Sequence, residues 1–136
     1  MKKVSITLIA LVMLMIFTGC APKDDPAPPA DADITDIAVA LVTDMSNGDF
    51  AKASDDYAYA GKMRAVISEK FLREQVWEYL VTNYGAFQGF GEPTAAQTGD
   101  YETVVVPANF EQGVVNMNIT FDQSKLIAGI HSVPAE

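Results

Sequence analysis

Two side chains in this sequence are of the types that most often carry chemistry: His131, the only histidine, and Cys20, the only cysteine. An imidazole titrates near neutral pH and can take up and return a proton during a reaction. Acid–base catalysis of this kind also needs a partner, and no aspartate stands at a distinctive spacing from His131. His131 is the one candidate for a catalytic residue, and a surface or rim position near the C-terminus is the simpler interpretation.

Paired acids occur at Asp24-Asp25 and at Asp55-Asp56. Carboxylates bind a cation when several of them converge from a shaped loop, and neither pair lies in a pattern of the EF-hand kind. We interpret both pairs as solvated charges. The sequence therefore predicts no metal site and no cofactor.

The middle of the chain is rich in aromatic residues, which could line an apolar pocket with tyrosine hydroxyls that orient a ligand. The candidate pocket residues are Tyr57, Met63, Trp77, Tyr84 and Phe87. The alternative is that these side chains fill an ordinary core, because a domain of about 100 residues has little other large apolar bulk.

Asn118-Ile119-Thr120 fits the acceptor pattern for N-glycosylation. Asn118 also falls in a segment of alternating apolar and polar residues, where Asn and Thr mark the solvated face of a strand. We favour the second interpretation.

The thiol of Cys20 follows a charged and then apolar N-terminus: Lys2 and Lys3, an apolar run over residues 4–17, and the small Gly19. This is the layout of a secretory signal, and with its cysteine it resembles a prokaryotic lipoprotein signal. The resemblance implies cleavage before Cys20 and lipid on its thiol, and two or more acyl chains anchor a protein stably. The alternative is a transmembrane anchor, which usually needs about 20 apolar residues.

We therefore expect a signal peptide over residues 1–19, a lipidated tether over 20–33 and one domain over 34–136. The tether is rich in proline and aspartate and favours extended conformations, so that it could hold the domain about 40 Å from a membrane. Nine Lys and Arg residues include Lys2 and Lys3, so processing leaves seven bases against 18 acids, a net charge of −11. Such a charge argues against nucleic acid as a partner and against adsorption to an anionic membrane without the lipid.

Helical periodicity covers the first half of the domain. A first helix begins at Asp33 or Thr35 and ends at Gly48, with Asp44 off its apolar stripe. Short helices are predicted over residues 50–57 and 63–67. A longer helix begins at Ser68 and ends at Gly85, with Tyr79 on its main apolar face and Trp77 towards the other side.

After Gly85 the period changes to two. Strands are predicted over residues 87–90, 101–106, 114–121 and 126–133, and Pro107 indicates a bulge or an edge position. Helices followed by a strand meander predict an α+β domain, with N-terminal helices packed on one face of a curved antiparallel sheet of about four strands.

Several short motifs, taken in order and spacing, resemble the domain of unknown function numbered 3887. These motifs are Asn47-Gly48-Asp49-Phe50, Met63, Phe71-Leu72, Trp77, Tyr84-Gly85-Ala86-Phe87, Phe121-Asp122 and Lys125-Leu126-Ile127-Ala128-Gly129. The resemblance covers residues 34–134 and implies a cone-shaped fold of the nuclear transport factor 2-like, or cystatin-like, kind. It also implies a cavity in which some enzymes pair a histidine with an aspartate. Other members often precede a hydrolase domain, but this chain has no Gly-x-Ser-x-Gly elbow to carry esterase chemistry.

These observations predict an exported, non-catalytic protein held at the outer face of the cell membrane through lipid on Cys20, which binds a small apolar ligand or a partner protein. Two alternatives stay open: a hydrolase or isomerase that uses His131 in a cavity, and an assembly module that forms a homodimer through its sheet.

Overall fold

The computed structural model describes residues 26–28 and 31–136. The predicted signal, Cys20 and the acidic pair Asp24-Asp25 lie outside these residues. Within the described part of the chain, no helix is both long enough and apolar enough to cross a membrane.

Helices occupy the first half of the domain. They are α1 (Ile34–Ser46), α2 (Phe50–Asp55), α3 (Gly61–Arg64), a π-helical segment (Phe71–Trp77) and α4 (Glu78–Tyr84), into which the π-helical segment runs directly. The predicted cap of α1 is confirmed, because a carboxylate oxygen of Asp33 accepts a 2.8 Å hydrogen bond from the Thr35 N–H. Gly48, with φ of +81°, follows its end.

Five antiparallel strands form the sheet: β1 (Phe87–Phe90), β2 (Thr94–Thr98), β3 (Tyr101–Phe110), β4 (Gly113–Phe121) and β5 (Ile127–Pro134). Their order is β1-β3-β4-β5, and β2 also pairs with β3. The α+β class is confirmed, with one strand more than the sequence predicts.

Strand β3 has two partners along one edge, since its start pairs with β2 and its end pairs with β1. Pro107 lies between these two stretches. The Pro107 carbonyl accepts a 2.8 Å hydrogen bond from the Gly91 N–H, so this side of Pro107 faces the gap between β1 and β2. Because N–H and C=O of one strand residue point to the same side, the N–H that proline lacks would also have faced this gap.

The core lies between the helices and one face of the sheet. Alternate residues of β3 and β4 are buried there, among them Val104, Val106, Met117 and Ile119, which are all 0% exposed. Helix α1 covers these two strands with Leu41 and its buried neighbours. The opposite face of the sheet borders α3 at one edge, where Gly61 and Lys62 line a groove with Thr120, Gly129 and His131.

Candidate functional site

Three of the predicted pocket residues meet in one aromatic cluster. The Trp77 ring lies 5.3 Å from the Phe87 ring and 5.8 Å from the Phe110 ring, measured between centroids, and Tyr84 lies 6.3 Å from Phe110. Phe87 also contacts Phe90, at 4.8 Å. Trp77 is 8% exposed. These rings fill the space between the end of the long helix and the sheet, so their contacts favour the core interpretation over a ligand cavity.

The π-helical segment explains why Trp77 is buried although an α-helical pattern places it off the main stripe. In an α-helix, residues five apart lie about 140° apart around the axis. A π-helix closes i to i+5 hydrogen bonds, and the Glu78 N–H bonds to the Arg73 carbonyl in this way. Leu72 and Trp77, five apart, therefore both reach the core, and Tyr79 is turned outward with 55% exposure. The predicted placement of Tyr79 on the apolar face is wrong for this reason.

The remaining two pocket candidates lie elsewhere. Met63, on α3, packs partly buried against the core. Tyr57, in the loop after α2, donates a 2.5 Å hydrogen bond to Oδ2 of Asp44. Burial, followed by this hydrogen bond to the carboxylate, raises the pKa of the Tyr57 hydroxyl.

Asp44 lies in a buried position on α1, 6% exposed. Its second oxygen, Oδ1, accepts a 2.9 Å hydrogen bond from Nζ of Lys52. The sequence pattern placed Asp44 off the apolar stripe, which is wrong. The available signal was its spacing of three residues from Leu41, which puts both side chains on nearly the same helix face.

A groove of about 460 Å³ lies beside Tyr57. Ile37 and Ala40 of α1 form one wall, and the described part of the tether forms the other. The rim is acidic, with Asp36 and Asp56. Among the described residues, no group of three or more His, Cys, Asp or Glu side chains is arranged to hold a metal ion.

His131 is exposed and lies on the sheet face away from the helices. It pairs with Asn118 across β4 and β5, and Asn118 alternates along β4 with the buried Met117 and Ile119. His131 lines an open groove of about 350 Å³ with Asp122 and Lys62. This groove lies outside the space between the helices and the sheet, which is where the enzyme alternative would place His131. Asn118 itself has a buried, unpartnered Oδ1 atom in mid-sheet, which is a poor position for a glycan.

The outer face of the sheet has an unusual composition for so acidic a chain. The pairing register aligns residues of neighbouring strands into rows across this face. Two rows cross β2, β3, β4 and β5, a third crosses β3, β4 and β5, and further residues lie at either end. We call this set the uncharged sheet face: Thr94, Ala96, Thr98, Tyr101, Thr103, Val105, Pro107, Asn109, Val114, Asn116, Asn118, Thr120, Gly129, His131 and Val133. It contains no Asp, Glu, Lys or Arg, in a chain with 27 such residues, 18 acidic and 9 basic.

Several members of this face are well exposed, including Tyr101 at 50% and Val133 at 46%. Thr103 and Thr120 bond to each other across β3 and β4 through their hydroxyls, at 3.0 Å. The face is thus mildly apolar, with the bonded Thr103 and Thr120 hydroxyls and the unpartnered Asn118 Oδ1 near its centre. The arrangement can support contact with another surface better than it can support a reaction.

Comparisons with known proteins give a family and a fold. Residues 38–130 match the family model described as "Protein of unknown function (DUF3887)". A search of the curated proteins found none that matches this chain. Among solved structures, the chain is similar to the NMR structure of a protein from Ruminococcus gnavus ATCC 29149, with a TM-score of 0.53 and 15% identity over 77% of this chain and 95% of that one. At this identity the likeness shows the fold alone.

Proposed function

Because this chain belongs to the DUF3887 family of proteins of unknown function, we propose its role from its own residues. The protein is a non-catalytic, lipid-anchored module outside the cytoplasm that pairs with a second copy through the uncharged sheet face. The observation that carries this proposal is the absence of charge from that face, in a chain whose formal net charge is −9.

Charge favours a second copy as the occupant. Two chains of the same strongly negative charge repel each other wherever their acidic surfaces approach. The described acids lie on the helices, in the loops, at the C-terminus, or at Glu102 on the helix side of β3. The uncharged sheet face is therefore the surface through which two copies can approach with the least repulsion, and polar rows of Thr and Asn can pair with themselves about a two-fold axis.

The size of the face indicates weak pairing. Four strands about 4.8 Å apart, with about seven residues at 3.4 Å along each, give a patch of about 450 Å². A stable interface buries about 800 Å² on each partner. Anchoring through lipid on Cys20 would compensate, because two copies confined to one membrane meet at a much higher effective concentration than in solution.

A matched pair of substitutions tests the pairing. Val114, on the uncharged sheet face, and Val81, on α4, are 37% and 38% exposed. We expect Val114→Glu to weaken association by about tenfold or more, since it places like charges across the interface, and Val81→Glu to leave it unchanged. Sedimentation of the unlipidated chain at high concentration, and energy transfer between labelled lipidated chains on a bilayer, measure this. Equal behaviour of both variants, or a strictly monomeric wild type in both assays, contradicts the proposal.

The anchor is tested separately. Cells grown with labelled lipid precursors should label the wild-type protein and leave a Cys20→Ser variant unlabelled. Label that persists in Cys20→Ser, or a wild type without label, would show that the thiol does not carry the lipid.

A further inference from the structure

Strand β2 forms part of the outer edge of the sheet. It pairs with β3 on one side, and no other strand of residues 26–28 and 31–136 pairs with its opposite side. All five of its residues are exposed, and its sequence, Thr-Ala-Ala-Gln-Thr, carries no charge. An exposed edge offers unpaired N–H and C=O groups to another chain, and proteins usually block such edges with charges, proline or bulges. Strand β2 contains none of these.

The other edges of the sheet are protected in these ways. The register of β1 against β3 shifts within its first three residues, which marks a bulge. At the start of β5, the backbone of Ile127 already bonds to Ala58 and Ala60, and α3 lies beside this strand. Pro134, at the end of β5, has no N–H to offer. Strand β2 is therefore the edge that is open for pairing.

The pairing with β3 decides which backbone groups of β2 are free. The Pro107 carbonyl points to the side of β3 on which β1 and β2 lie, and every second residue of β3 points the same way. The register joins these residues of β3 to Thr94, Ala96 and Thr98, whose N–H and C=O groups are therefore used within the sheet. The two residues between them consequently point their N–H and C=O groups to the open edge.

We propose that β2 pairs antiparallel with β2 of a second copy, about a two-fold axis at Ala96, so that two sheets join into one. In this register Ala95 of each copy faces Gln97 of the other, and each of these two pairs exchanges two hydrogen bonds. An axis at Ala95 would set Gln97 against Pro93, which has no N–H, and an axis at Gln97 would set Ala95 against Gly99 in the turn. The edge is thus complementary to itself in one register.

Charge limits the strength of this pairing. The same register sets Glu92 of each copy against Asp100 of the other, just beyond the ends of β2, and both residues are exposed. Salt screens the repulsion between exposed like charges. Association through this edge should therefore strengthen several-fold from low to high salt, and Glu92→Gln should strengthen it at low salt.

Edge pairing enlarges the uncharged sheet face and leaves it open. Thr94, Ala96 and Thr98 belong to that face, so two copies joined along β2 present one continuous surface of about 900 Å². A stable interface buries about 800 Å² on each partner, so the joined face is large enough for stable contact. This consequence rests on the proposed function, whereas the edge pairing itself does not.

Cysteine cross-linking tests the register in an unlipidated Cys20→Ser chain. Ala96→Cys places two thiols opposite each other at the axis, in a non-hydrogen-bonded pair with Cα atoms about 4.5 Å apart, which a disulfide can span. Ala95→Cys is the matched control, because its two Cα atoms would lie about 8 Å apart, which is too far. Sheets packed face to face are about 10 Å apart, so pairing through the uncharged sheet face forms neither disulfide. We expect mild oxidation to link Ala96→Cys into dimers at least about tenfold faster than Ala95→Cys.

A proline tests the hydrogen bonds. Because the Ala95 N–H points to the open edge, Ala95→Pro removes a donor of the pairing and none of the bonds within the sheet. In the Ala96→Cys chain, Ala95→Pro should slow cross-linking by about tenfold or more, whereas Ala95→Ser, which keeps the N–H, should not. Circular dichroism checks that the proline variant is folded.

Several outcomes would overturn the edge pairing. These are equal cross-linking of Ala95→Cys and Ala96→Cys, no disulfide dimer of Ala96→Cys at any salt concentration, and a folded Ala95→Pro variant that cross-links at the unchanged rate. Val114→Glu, which should weaken contact through the uncharged sheet face, should leave the cross-linking of Ala96→Cys unchanged. Each of the two contacts can therefore fail without the other.

Discussion

The hydroxyl of Tyr57 and the carboxylate of Asp44, thirteen residues apart in the chain, share a 2.5 Å hydrogen bond. The bond connects the loop after α2 to the buried side of α1. Lys52 of α2 completes the arrangement through the other carboxylate oxygen, at 2.9 Å. The nearly buried Asp44 thus connects both α2 and the loop after it to α1.

Removal of the Asp44 carboxylate should destabilise the domain more than removal of the exposed Lys52 amine. We expect Asp44→Ala to lower the free energy of unfolding by about 1–3 kcal/mol, because the part-buried Tyr57 hydroxyl loses its acceptor. Tyr57→Phe should cost about 1–2 kcal/mol, since Asp44 then keeps only one donor. Lys52→Met should cost less than either, because the Lys52 side chain is 55% exposed. Urea unfolding measures all three, and a larger loss in Lys52→Met than in Asp44→Ala would contradict this ranking.

Stability should fall at alkaline pH through two tyrosines. Burial raises the pKa of Tyr59, against the opposing charge of Arg64, and burial with the Asp44 hydrogen bond raises that of Tyr57. Both pKa values are raised above the unfolded value of about 10, so the folded state holds these protons more strongly. The stabilisation is fully present below pH 10 and is lost as the pH rises above it.

The slope of the free energy of unfolding against pH tests whether Tyr59 causes the loss of stability. If the folded state holds one proton that the unfolded state has lost, the free energy of unfolding falls by at most about 1.4 kcal/mol for each unit by which the pH rises. Tyr59 should approach this limit, since it is 6% exposed and its hydroxyl donates to the Ala53 carbonyl. Tyr57 should contribute as well, because burial and its hydrogen bond to Asp44 also raise its pKa. Urea unfolding between about pH 8 and pH 11 should show a shallower fall in Tyr59→Phe, and an unchanged slope would exclude Tyr59 as the cause.

The sequence predicted elements that local chemistry decides. The Asp33 cap, and the turn at Asp122 between the predicted strands 114–121 and 126–133, follow from side chains that bond their own backbone neighbours. In that turn, Oδ1 of Asp122 accepts hydrogen bonds from the N–H groups of Ser124 and Leu126. The helix end at Gly48 follows from a positive φ that glycine adopts freely. Such signals are readable without the rest of the fold.

Elements decided by distant contacts were missed. Strand β2 is exposed along its whole length and has no apolar alternation, so it forms only because the free edge of β3 offers hydrogen bonds. The π-helical segment was missed because a period of 3.6 was assumed, which placed Trp77 off the main apolar face of the helix. The part of the uncharged sheet face that lies on β4 was visible in the sequence as alternating Asn and Thr. The extent of the face over four strands depends on the pairing register, which the sequence does not show.

The single tryptophan gives a direct test of the filled aromatic cluster. Trp77 is 8% exposed, so we expect blue-shifted emission and weak quenching by acrylamide, with no change on addition of small apolar ligands. Trp77→Ala should cost about 3–5 kcal/mol through the cavity it leaves. Val81→Ala, at an exposed site nearby on the same helix, is the control. Strong quenching of the native fluorescence, or its displacement by an apolar probe, would show an open pocket instead.

Gly85 ends the long helix under two constraints that can be separated. Its φ of +83° disfavours any side chain, and a Cβ atom placed there would lie 2.6 Å from Oε2 and 3.0 Å from Cβ of Glu111. Oε2 of Glu111 is also the acceptor for the Ala86 N–H, at 3.0 Å. Gly48 has nearly the same φ, +81°, but open space around it.

The backbone strain at Gly85 is a separate quantity, because its ψ of −164° lies in a region essentially restricted to glycine. Gly48→Ala should cost about 1–2 kcal/mol from backbone strain alone. Gly85→Ala should cost the strain of its own backbone conformation and, in addition, about 1 kcal/mol, because Glu111 must move and its hydrogen bond to Ala86 is lost. In a Glu111→Ala background that additional cost should disappear, so a double-mutant cycle by urea unfolding isolates it. If Gly85→Ala costs the same with and without Glu111, the contact contributes nothing and backbone strain alone explains the glycine.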